Sequence, residues 1–182
     1  MIQIADKTFE LFIDRHEIET IVTDLAHQIS NDLRDKDLIL CPVLSGSFIF
    51  ATDLVRALDF DPEISFVKYG SYVGTQSSGT VQEMLGFPDI VKGRNILIVE
   101  DIIESGTSMK TMLNRLAEKH PASVKVCTLM HKPNRLQCNV QMDYIGRCIP
   151  DAFIVGYGFD YNGHGRTYPD IYSLVSETNN LV

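Results

Sequence analysis

The sequence predicts an α/β protein built on a mainly parallel, twisted sheet flanked by helices. Residues 38–43 and 95–99 form two runs of strand length that are apolar at nearly every position. Strands that are apolar on both faces are typical of a parallel sheet covered by helices on both sides. Segments with helical periodicity alternate with these runs, as they do in α/β folds.

The composition is that of a single soluble domain. The chain has 182 residues, of which 45% are apolar, enough for one sizeable core. A formal charge of -8 gives no basic surface for polymeric nucleic acid. No apolar run approaches the roughly 20 residues of a membrane span, and the N-terminal segment has neither a basic leader nor a cleavage site. We expect one cytoplasmic domain over residues 1–182 that binds no membrane and no polymeric nucleic acid.

The cysteines indicate a reducing compartment. Cys41, Cys127, Cys138 and Cys148 are far apart and form no C-x-x-C pair, as expected of four reduced thiols. Cys127 lies four residues before His131, but further metal ligands are missing nearby and the segment reads as a strand, so we expect no metal site there.

Each remaining element follows from a local pattern. Asp14, with Glu17 three residues later, resembles a capping box, and apolar residues at helical spacing continue the helix to about Arg34. Helical periodicity also covers residues 47–58 and 109–116. Apolar runs or alternation predict strands over residues 38–43, 63–69, 95–99, 123–130 and 153–155. Ligands of such folds bind beyond the carboxyl ends of the strands, so the loops that follow are the candidates for chemistry.

The loop after residue 99 is the richest in functional groups. Glu100 and Asp101 follow the expected end of the strand, and Glu104 comes three residues later. Like charges this close are unfavourable unless a cation, hydroxyl groups or a proton compensates them, which suggests a polyol, a metal or a proton-transfer role. The alternative is that the acids are simply solvated.

A hydroxyl-rich turn then opens the next helix. Ser105, Gly106, Thr107 and Ser108 present backbone amides and three hydroxyls at a helix N-terminus, which favours a phosphate. The alternative is that Ser105 merely caps the helix. The turn matches neither the Walker A pattern nor the G-x-G-x-x-G pattern.

Two other loops have an unusual composition. Ser45 and Gly46 separate a strand from a helix, where Gly46 either lets a ligand approach the backbone or makes a plain tight turn. Residues 70–82 hold three glycines and many hydroxyls, and a loop of this size is usually functional or disordered.

Residues 96–109 resemble the phosphoribosyl-diphosphate binding motif of type I phosphoribosyltransferases. Residues 44–47, the Lys132-Pro133 pair, residues 153–161 and Arg166 narrow the resemblance to the 6-oxopurine branch, hypoxanthine-guanine phosphoribosyltransferase. It covers nearly the whole chain. It implies a small hood subdomain from about residues 131–182, and a mobile lid over about residues 70–82 that carries Ser71 and Tyr72.

The resemblance also implies an activity and its partners. The expected reaction joins hypoxanthine, and guanine as well, to 5-phosphoribosyl 1-diphosphate with Mg²⁺, giving a nucleoside monophosphate and pyrophosphate. A homodimer or homotetramer is expected. A xanthine-preferring transferase, or a regulator on the same fold that binds nucleotide and RNA, stays open as an alternative.

The resemblance assigns roles to individual residues. Ribose binds Glu100 and Asp101, the 5'-phosphate binds residues 105–108, and pyrophosphate binds Ser45, Gly46 and Arg166, with a cis peptide expected between Leu44 and Ser45. The purine contacts Lys132, Phe153, Ile154 and Asp160, and Asp160 also ligates Mg²⁺. Taken alone, Lys132 reads as a surface charge, Phe153 as a core residue and Asp160 as a turn residue.

Two positions depart from the pattern of this branch. Ser45 stands where many members carry Lys, which leaves mainly backbone donors in that loop. Glu104 stands where the general base for the purine N7 proton is usually Asp.

Overall fold

The computed structural model describes residues 1–71 and 81–175 of the chain. Three α-helices lie in these ranges: α1 Arg15–Leu33, α2 Phe48–Ala57 and α3 Thr107–Ala117. The strands are β1 Ile2–Ile4, β2 Lys7–Ile13, β3 Leu38–Leu44, β4 Glu63–Ile64, β5 Val67–Ser71, β6 Val81–Leu85, β7 Asn95–Ile103, β8 Ser123–His131, β9 Tyr144–Cys148, β10 Ile154–Val155 and β11 Ile171–Leu174. Short 3-10 turns cover Asp89–Val91 and Pro133–Arg135. None of the described helices has the length and apolar character of a membrane span.

The larger sheet confirms the predicted fold class. Its order is β6-β5-β3-β7-β8-β9, with β4 also paired to β3, and every pair except β5 with β6 is parallel. Apolar side chains of α1 and α2 belong to one buried cluster, and those of α3 belong to another. The fully buried central strands therefore have helices on both faces, as their apolar composition predicts.

A second, antiparallel sheet joins the two ends of the described chain. Its order is β1-β2-β11-β10, so the N-terminal hairpin pairs with the C-terminal strands. We call this four-stranded sheet, with the turn over residues 156–170, the hood. The sequence patterns did not predict β1, β2 or β11, because these strands are partly exposed and have no continuous apolar run.

The N-terminus of α1 forms as predicted, but only half of the capping box does. Asp14 Oδ1 accepts hydrogen bonds from the amides of His16 and Glu17 at 2.9 and 3.0 Å. The Glu17 carboxylate instead pairs with Arg147 on β9. The cap is therefore local, and the glutamate joins the helix to the sheet.

The single strand predicted over residues 63–69 is interrupted. Its two halves, β4 and β5, pair with β3 in one continuous register, Ile39 with Glu63 and Val43 with Val67. The Leu40 carbonyl accepts a hydrogen bond from the Ser65 amide, directly after β4, at 3.0 Å. Pro42, two residues further along β3, has no amide hydrogen to continue the ladder on that side, which explains the break.

The prediction that the central strand ends at Glu100-Asp101 is wrong. Strand β7 continues to Ile103, because β8 stays paired with it as far as His131. On its other side, β3 pairs with β7 only as far as Val99. Residues 100–103 are therefore held from one side only, and the acidic pair lies on the strand itself, beside an open edge.

The predicted lid lies largely outside the described residues. Gly70 pairs with Gln82 and Ser71 with Val81, so both ends of the stretch expected as a loop belong to an antiparallel pair of strands. Tyr72 lies in the part of the chain that the structure does not describe, and so does the rest of the expected lid up to residue 80.

Candidate active site

Several of the predicted site residues lie where β3, β7 and β8 end. These strands are adjacent and parallel, so the segments that follow them leave the sheet at the same edge. The hood turn contributes a fourth segment, because a side chain added at Gly158 would collide with the Gly46 carbonyl. The fold thus brings together residues that lie more than a hundred positions apart in the sequence.

The turn before α3 has the geometry of an anion cradle. Gly106 is the N-cap residue and adopts a left-handed conformation with φ of 78°, which an L side chain rarely adopts. A Cβ here would lie 3.1 Å from Leu136 Cδ1, so glycine also lets the turn pack closely. The Thr107 amide donates to Ser105 Oγ at 3.3 Å. Ser105 therefore bonds inside the turn and is not the N-cap of α3.

The first helical hydrogen bond of α3 runs from the Lys110 amide to the Gly106 carbonyl, at 2.8 Å. The amides that precede Lys110 in the first turn of the helix, including that of Ser108, have no partner within the helix and can bind an anion. A cavity of about 230 Å³ lies against this turn and is lined also by Glu100 and Glu104. The hydroxyl-rich turn before α3 and two of the three acids therefore face one space.

Two half-buried carboxylates line the open edge of β7. Burial and the neighbouring Asp101 charge raise the pKa of Glu100 well above its usual value. Burial raises the pKa of Asp101 as well, against the opposing attraction of the Arg166 charge. Local amides compensate them in part: Glu100 Oε1 accepts from Asp101 N at 3.2 Å, and Asp101 Oδ1 accepts from Ile102 N at 2.8 Å. A cation or several hydroxyl donors would offset the rest of this cost.

The loop between β3 and α2 lies directly against Asp101. The Leu44–Ser45 peptide is cis, as the resemblance implies. A Cβ at Gly46 would overlap the Asp101 carboxylate, so no larger residue fits without displacing that side chain. Ser47 is the N-cap residue of α2, but its side chain does not cap the helix, because the buried hydroxyl donates back to the Val43 carbonyl at 2.7 Å.

The hood turn presents an arginine and an aspartate to this loop. Arg166 pairs with Asp160 Oδ1 at 2.6 Å and donates to the Gly158 carbonyl at 2.5 Å. The other oxygen of Asp160 accepts from the Gly163 amide at 2.7 Å. The guanidinium is thereby held at Gly158, the residue that lies against the Gly46 carbonyl, and its planar fork is suited to an anion.

The structure brings Glu104 and Lys132 into contact. Lys132 follows β8 as predicted, and it is not a surface charge, because only 6% of its side chain is exposed. Its ammonium donates to Glu104 Oε1, whose side chain is 40% exposed. The proposed general base and the proposed purine donor therefore share one ion pair.

Phe153 is not a core residue. It is 47% exposed and stands one residue before β10. Tyr161 meets its ring edge-on at 5.9 Å, and Phe9 lies 6.4 Å away. An exposed ring held in place by two other aromatics is suited to stacking on a planar ligand. Ile154 is buried beside it and pairs with Ser173 in the hood sheet.

A family model for the phosphoribosyl transferase domain matches residues 12–162 of the chain. This range includes the cradle, the acidic pair, the loop after β3 and the first part of the hood turn, up to residue 162. The chain belongs to the phosphoribosyltransferase family.

Individual members of the family match most of its length. A hypoxanthine-guanine phosphoribosyltransferase of Staphylococcus aureus is 35% identical over 169 residues, 92% of this chain and 94% of that protein. The enzyme of that name from Mycobacterium tuberculosis is 36% identical over 163 residues, 86% of this chain and 81% of that protein. A crystal structure of a hypoxanthine-guanine phosphoribosyltransferase from Bacillus anthracis matches with a TM-score of 0.86 at 34% identity, covering 93% of this chain and 100% of the other.

Sequence reasoning missed two polar residues near the ion pair. Asp151 Oδ1 lies 3.8 Å from the Lys132 ammonium, and its other oxygen lies 3.6 Å from Arg135. His131, which was considered only as a metal ligand, is buried and bonds the Ile103 carbonyl. No periodicity or motif marks Asp151, although its position two residues before Phe153 places it at the entrance to the hood.

Proposed function

We propose that the protein transfers a phosphoribosyl group from 5-phosphoribosyl 1-diphosphate to hypoxanthine and guanine, as in purine salvage. The observation that carries this proposal is the Glu104–Lys132 ion pair next to the cradle before α3. A carboxylate and an ammonium beside a phosphate site are the groups that a 6-oxopurine needs, one to take a proton and the other to bind the oxo group. The names of the matched relatives support the same activity.

The donor binds across three of the converging segments. The turn Ser105, Gly106, Thr107 and Ser108 holds the 5'-phosphate, and the carboxylates of Glu100 and Asp101 accept from the ribose hydroxyls. The backbone of Ser45 and Gly46 binds the pyrophosphate together with the Arg166 guanidinium. Because Ser45 carries no charge, Arg166 supplies most of the positive charge that the protein offers there.

The residues fit Mg²⁺ as the cofactor. The carboxylates of Asp160, Glu100 and Asp101 are hard oxygen ligands, and the raised pKa of the acidic pair indicates an environment that a cation would relieve. Among the described residues no three candidate ligands cluster into a protein cage. Mg²⁺ commonly uses one or two carboxylates plus substrate phosphates and water, so a cage is not required. Bound at the diphosphate, the ion neutralises the charge of the leaving group.

The base binds between the hood and the ion pair. Phe153 stacks on the purine, the backbone of Ile154 reads the ring edge, and Asp160 faces the base from the hood turn. Lys132 donates to the 6-oxo group. Since a charged ammonium cannot accept a hydrogen bond, it discriminates against the 6-amino group of adenine.

The chemical step is a substitution at the anomeric carbon. Purine N9 forms the new bond to that carbon, the bond to the pyrophosphate oxygen breaks, and Glu104 takes the N7 proton. By analogy with glycoside transfer, positive charge develops on the ribose in the transition state, where the nearby carboxylates stabilise it. Closure of a lid that includes Ser71 and Tyr72 would exclude water from this step.

The proposal also covers the domain organisation, cellular location and assembly of the protein. The chain acts as one domain over residues 1–182, in the cytoplasm, as a homodimer or homotetramer. It uses no polymeric nucleic acid, in keeping with its charge of -8.

A substrate panel tests the activity. The protein is incubated with donor, Mg²⁺ and hypoxanthine, guanine, xanthine, adenine or uracil, and pyrophosphate release is followed. We expect turnover with the first two bases. Preference for xanthine would favour the alternative transferase, and nucleotide binding without turnover on any base would favour a regulator.

Replacement of the proposed general base tests its role. A positioned base contributes roughly 10²–10⁴ in rate, so Glu104→Gln should lower kcat by about that factor with little change in donor affinity. Glu104→Asp, which keeps the carboxylate, should be milder. Steady-state kinetics with hypoxanthine and calorimetry with the donor measure the two effects, and unchanged turnover in Glu104→Gln would refute the assignment.

A further inference from the structure

His131 is a buried titratable residue that the proposed mechanism does not use. It is the last residue of β8 and is 6% exposed. Its Nδ1 lies 3.0 Å from the Ile103 carbonyl oxygen. Because a carbonyl oxygen carries no proton, Nδ1 must donate in this hydrogen bond, which fixes the tautomer of a neutral ring.

The Ile103 carbonyl is held from two sides. The amide of Lys132 donates to the same oxygen at 3.1 Å. Ile103 and His131 are also the last paired residues of β7 and β8. His131 and Lys132, which are consecutive at the end of β8, therefore both hold the Ile103 carbonyl at the end of β7.

That carbonyl belongs to the peptide unit that carries Glu104. The peptide group is planar, so fixing the Ile103 oxygen also fixes the plane of the Glu104 amide and one end of its Cα. Beyond Val99 this segment has no β3 neighbour, so the contacts with β8 are its lateral support in the sheet. On the other side, the His131 carbonyl accepts from the Ile149 amide at 2.8 Å, which anchors the histidine to the segment after β9.

We infer that His131 is a positioning residue, whose imidazole holds the Ile103–Glu104 peptide so that the Glu104 carboxylate faces both Lys132 and the purine N7. The inference rests on the proposed role of Glu104. Misplacement of a reacting group by about 1 Å can cost roughly 10²-fold in rate.

Two substitutions separate positioning from simple packing. His131→Leu fills similar space without a donor, and we expect kcat with hypoxanthine to fall by about 10–100-fold while the donor KM stays within about twofold. His131→Asn offers an amide hydrogen near the position of Nδ1 and should restore most of the lost kcat. Met130→Leu, a volume-conserving change at the adjacent buried position, is the matched control and should leave kcat near its normal value.

A double-mutant cycle connects the effect to Glu104. In the Glu104→Gln background no base remains to be positioned, so adding His131→Leu should change kcat by less than about twofold. Circular dichroism and thermal melts confirm that each variant compared is folded, and if His131→Leu does not fold, the comparison of His131→Asn with Met130→Leu decides. An equal loss of kcat in both backgrounds, or a His131→Asn variant as impaired as His131→Leu, would overturn the inference. Unchanged turnover in Glu104→Gln alone would instead refute the proposed general base, so the two failures are distinguishable.

Discussion

At the scale of single residues, Lys132 is a cation buried between acids. Its ammonium donates to Glu104 and lies 3.8 Å from Asp151, and burial of a charge requires such partners. An incoming 6-oxo group would replace part of this pairing, so the ammonium would keep a hydrogen-bond partner when the base binds. Its position directly after β8 makes it part of the strand end rather than of a flexible loop.

Removal of the Lys132 charge should impair the reaction with the base and leave binding of the donor unchanged. Lys132→Met keeps most of the apolar stem, and a hydrogen bond from a charged group contributes about 1.5–3 kcal/mol, so kcat/KM for hypoxanthine should fall by roughly 10–100-fold. Donor binding by calorimetry should change by less than about twofold. Lys125→Met, which removes a lysine paired with Asp32 away from the site, is the control. Normal hypoxanthine kinetics in Lys132→Met would show that the residue does not contact the base.

Unlike Lys132, Glu100 has a buried charge that should lower the stability of the folded chain. Burial raises the pKa of Glu100, so the protonated form stabilises the folded chain, and this contribution is lost as pH rises through the raised pKa. At pH 7–8, Glu100→Gln should therefore increase the free energy of unfolding, by about 0.5–2 kcal/mol.

The same substitution should weaken donor binding, because the ribose loses a carboxylate. Denaturant unfolding of the wild type, Glu100→Gln and Glu10→Gln measures the effect, with Glu10 as an exposed carboxyl on β2. The difference between the wild type and Glu100→Gln should shrink towards pH 4, near the unfolded pKa. A Glu100→Gln variant less stable than the wild type at pH 8 would contradict this account.

At the scale of elements, the site depends on close backbone contacts between loops. The loop after β3 touches the end of β7 through Gly46 and Asp101, and it touches the hood turn through Gly158. Such contacts leave no volume for side chains at Gly46 and Gly158, so the backbones of these segments can approach their neighbours closely. Glycine at both positions thus sets how closely the loop after β3 approaches β7 and the hood turn.

Gly46→Ala tests this packing. The added methyl group would overlap the Asp101 carboxylate, and overpacking typically costs about 1–3 kcal/mol, so donor affinity should fall by roughly 10–100-fold. Gly93→Ala is the control, since Gly93 has a φ of 73° but nothing within 4 Å of an added Cβ. It should lower the melting temperature without affecting donor binding. Equal donor affinities in the two variants would argue against a role for the loop after β3.

At the scale of the whole molecule, a buried tyrosine joins the hood to helix α2. Tyr157, in the hood turn, donates its hydroxyl to Asp53 of α2 at 2.7 Å. Burial raises the pKa of Tyr157, and the Asp53 carboxylate raises it further. The helix that follows the loop after β3 is thereby tied to the turn that carries Asp160 and Arg166.

Tyr157→Phe should reduce the free energy of unfolding by about 1 kcal/mol at pH 7, the usual net contribution of one hydrogen bond. Because the folded pKa is raised, the stabilisation is complete below the unfolded pKa of about 10 and is lost above it. The gap between the wild type and Tyr157→Phe should therefore narrow above pH 10. Tyr161→Phe, which removes an exposed hydroxyl bonded to Asp6, is the control. Identical losses in Tyr157→Phe and Tyr161→Phe would show no special coupling between the hood and α2.

Local patterns predicted the core of the fold, the acids of β7 and the hydroxyl-rich turn after it, whereas Lys132, Phe153 and Arg166 became candidates only through the family resemblance. The apolar runs of β3 and β7 and the periodicity of α1 identified the parallel sheet, because burial of both faces constrains composition directly. The end of β7 was misplaced, since charged residues usually mark the end of a buried strand. Here only β3 stops pairing at Val99, while β8 stays paired as far as Ile103, and no local sequence pattern indicates this difference.

By itself, the sequence determined the chemical groups and their order along the chain: three acids, a hydroxyl-rich turn, a lysine and an aromatic. Only the tertiary structure decided which of them meet. The pairing of Glu104 with Lys132, the contact of Gly46 with Asp101 and the His131 bond to Ile103 all join separate strands or loops. Their distances follow from strand register and loop packing, which depend on the whole chain and not on any window of it.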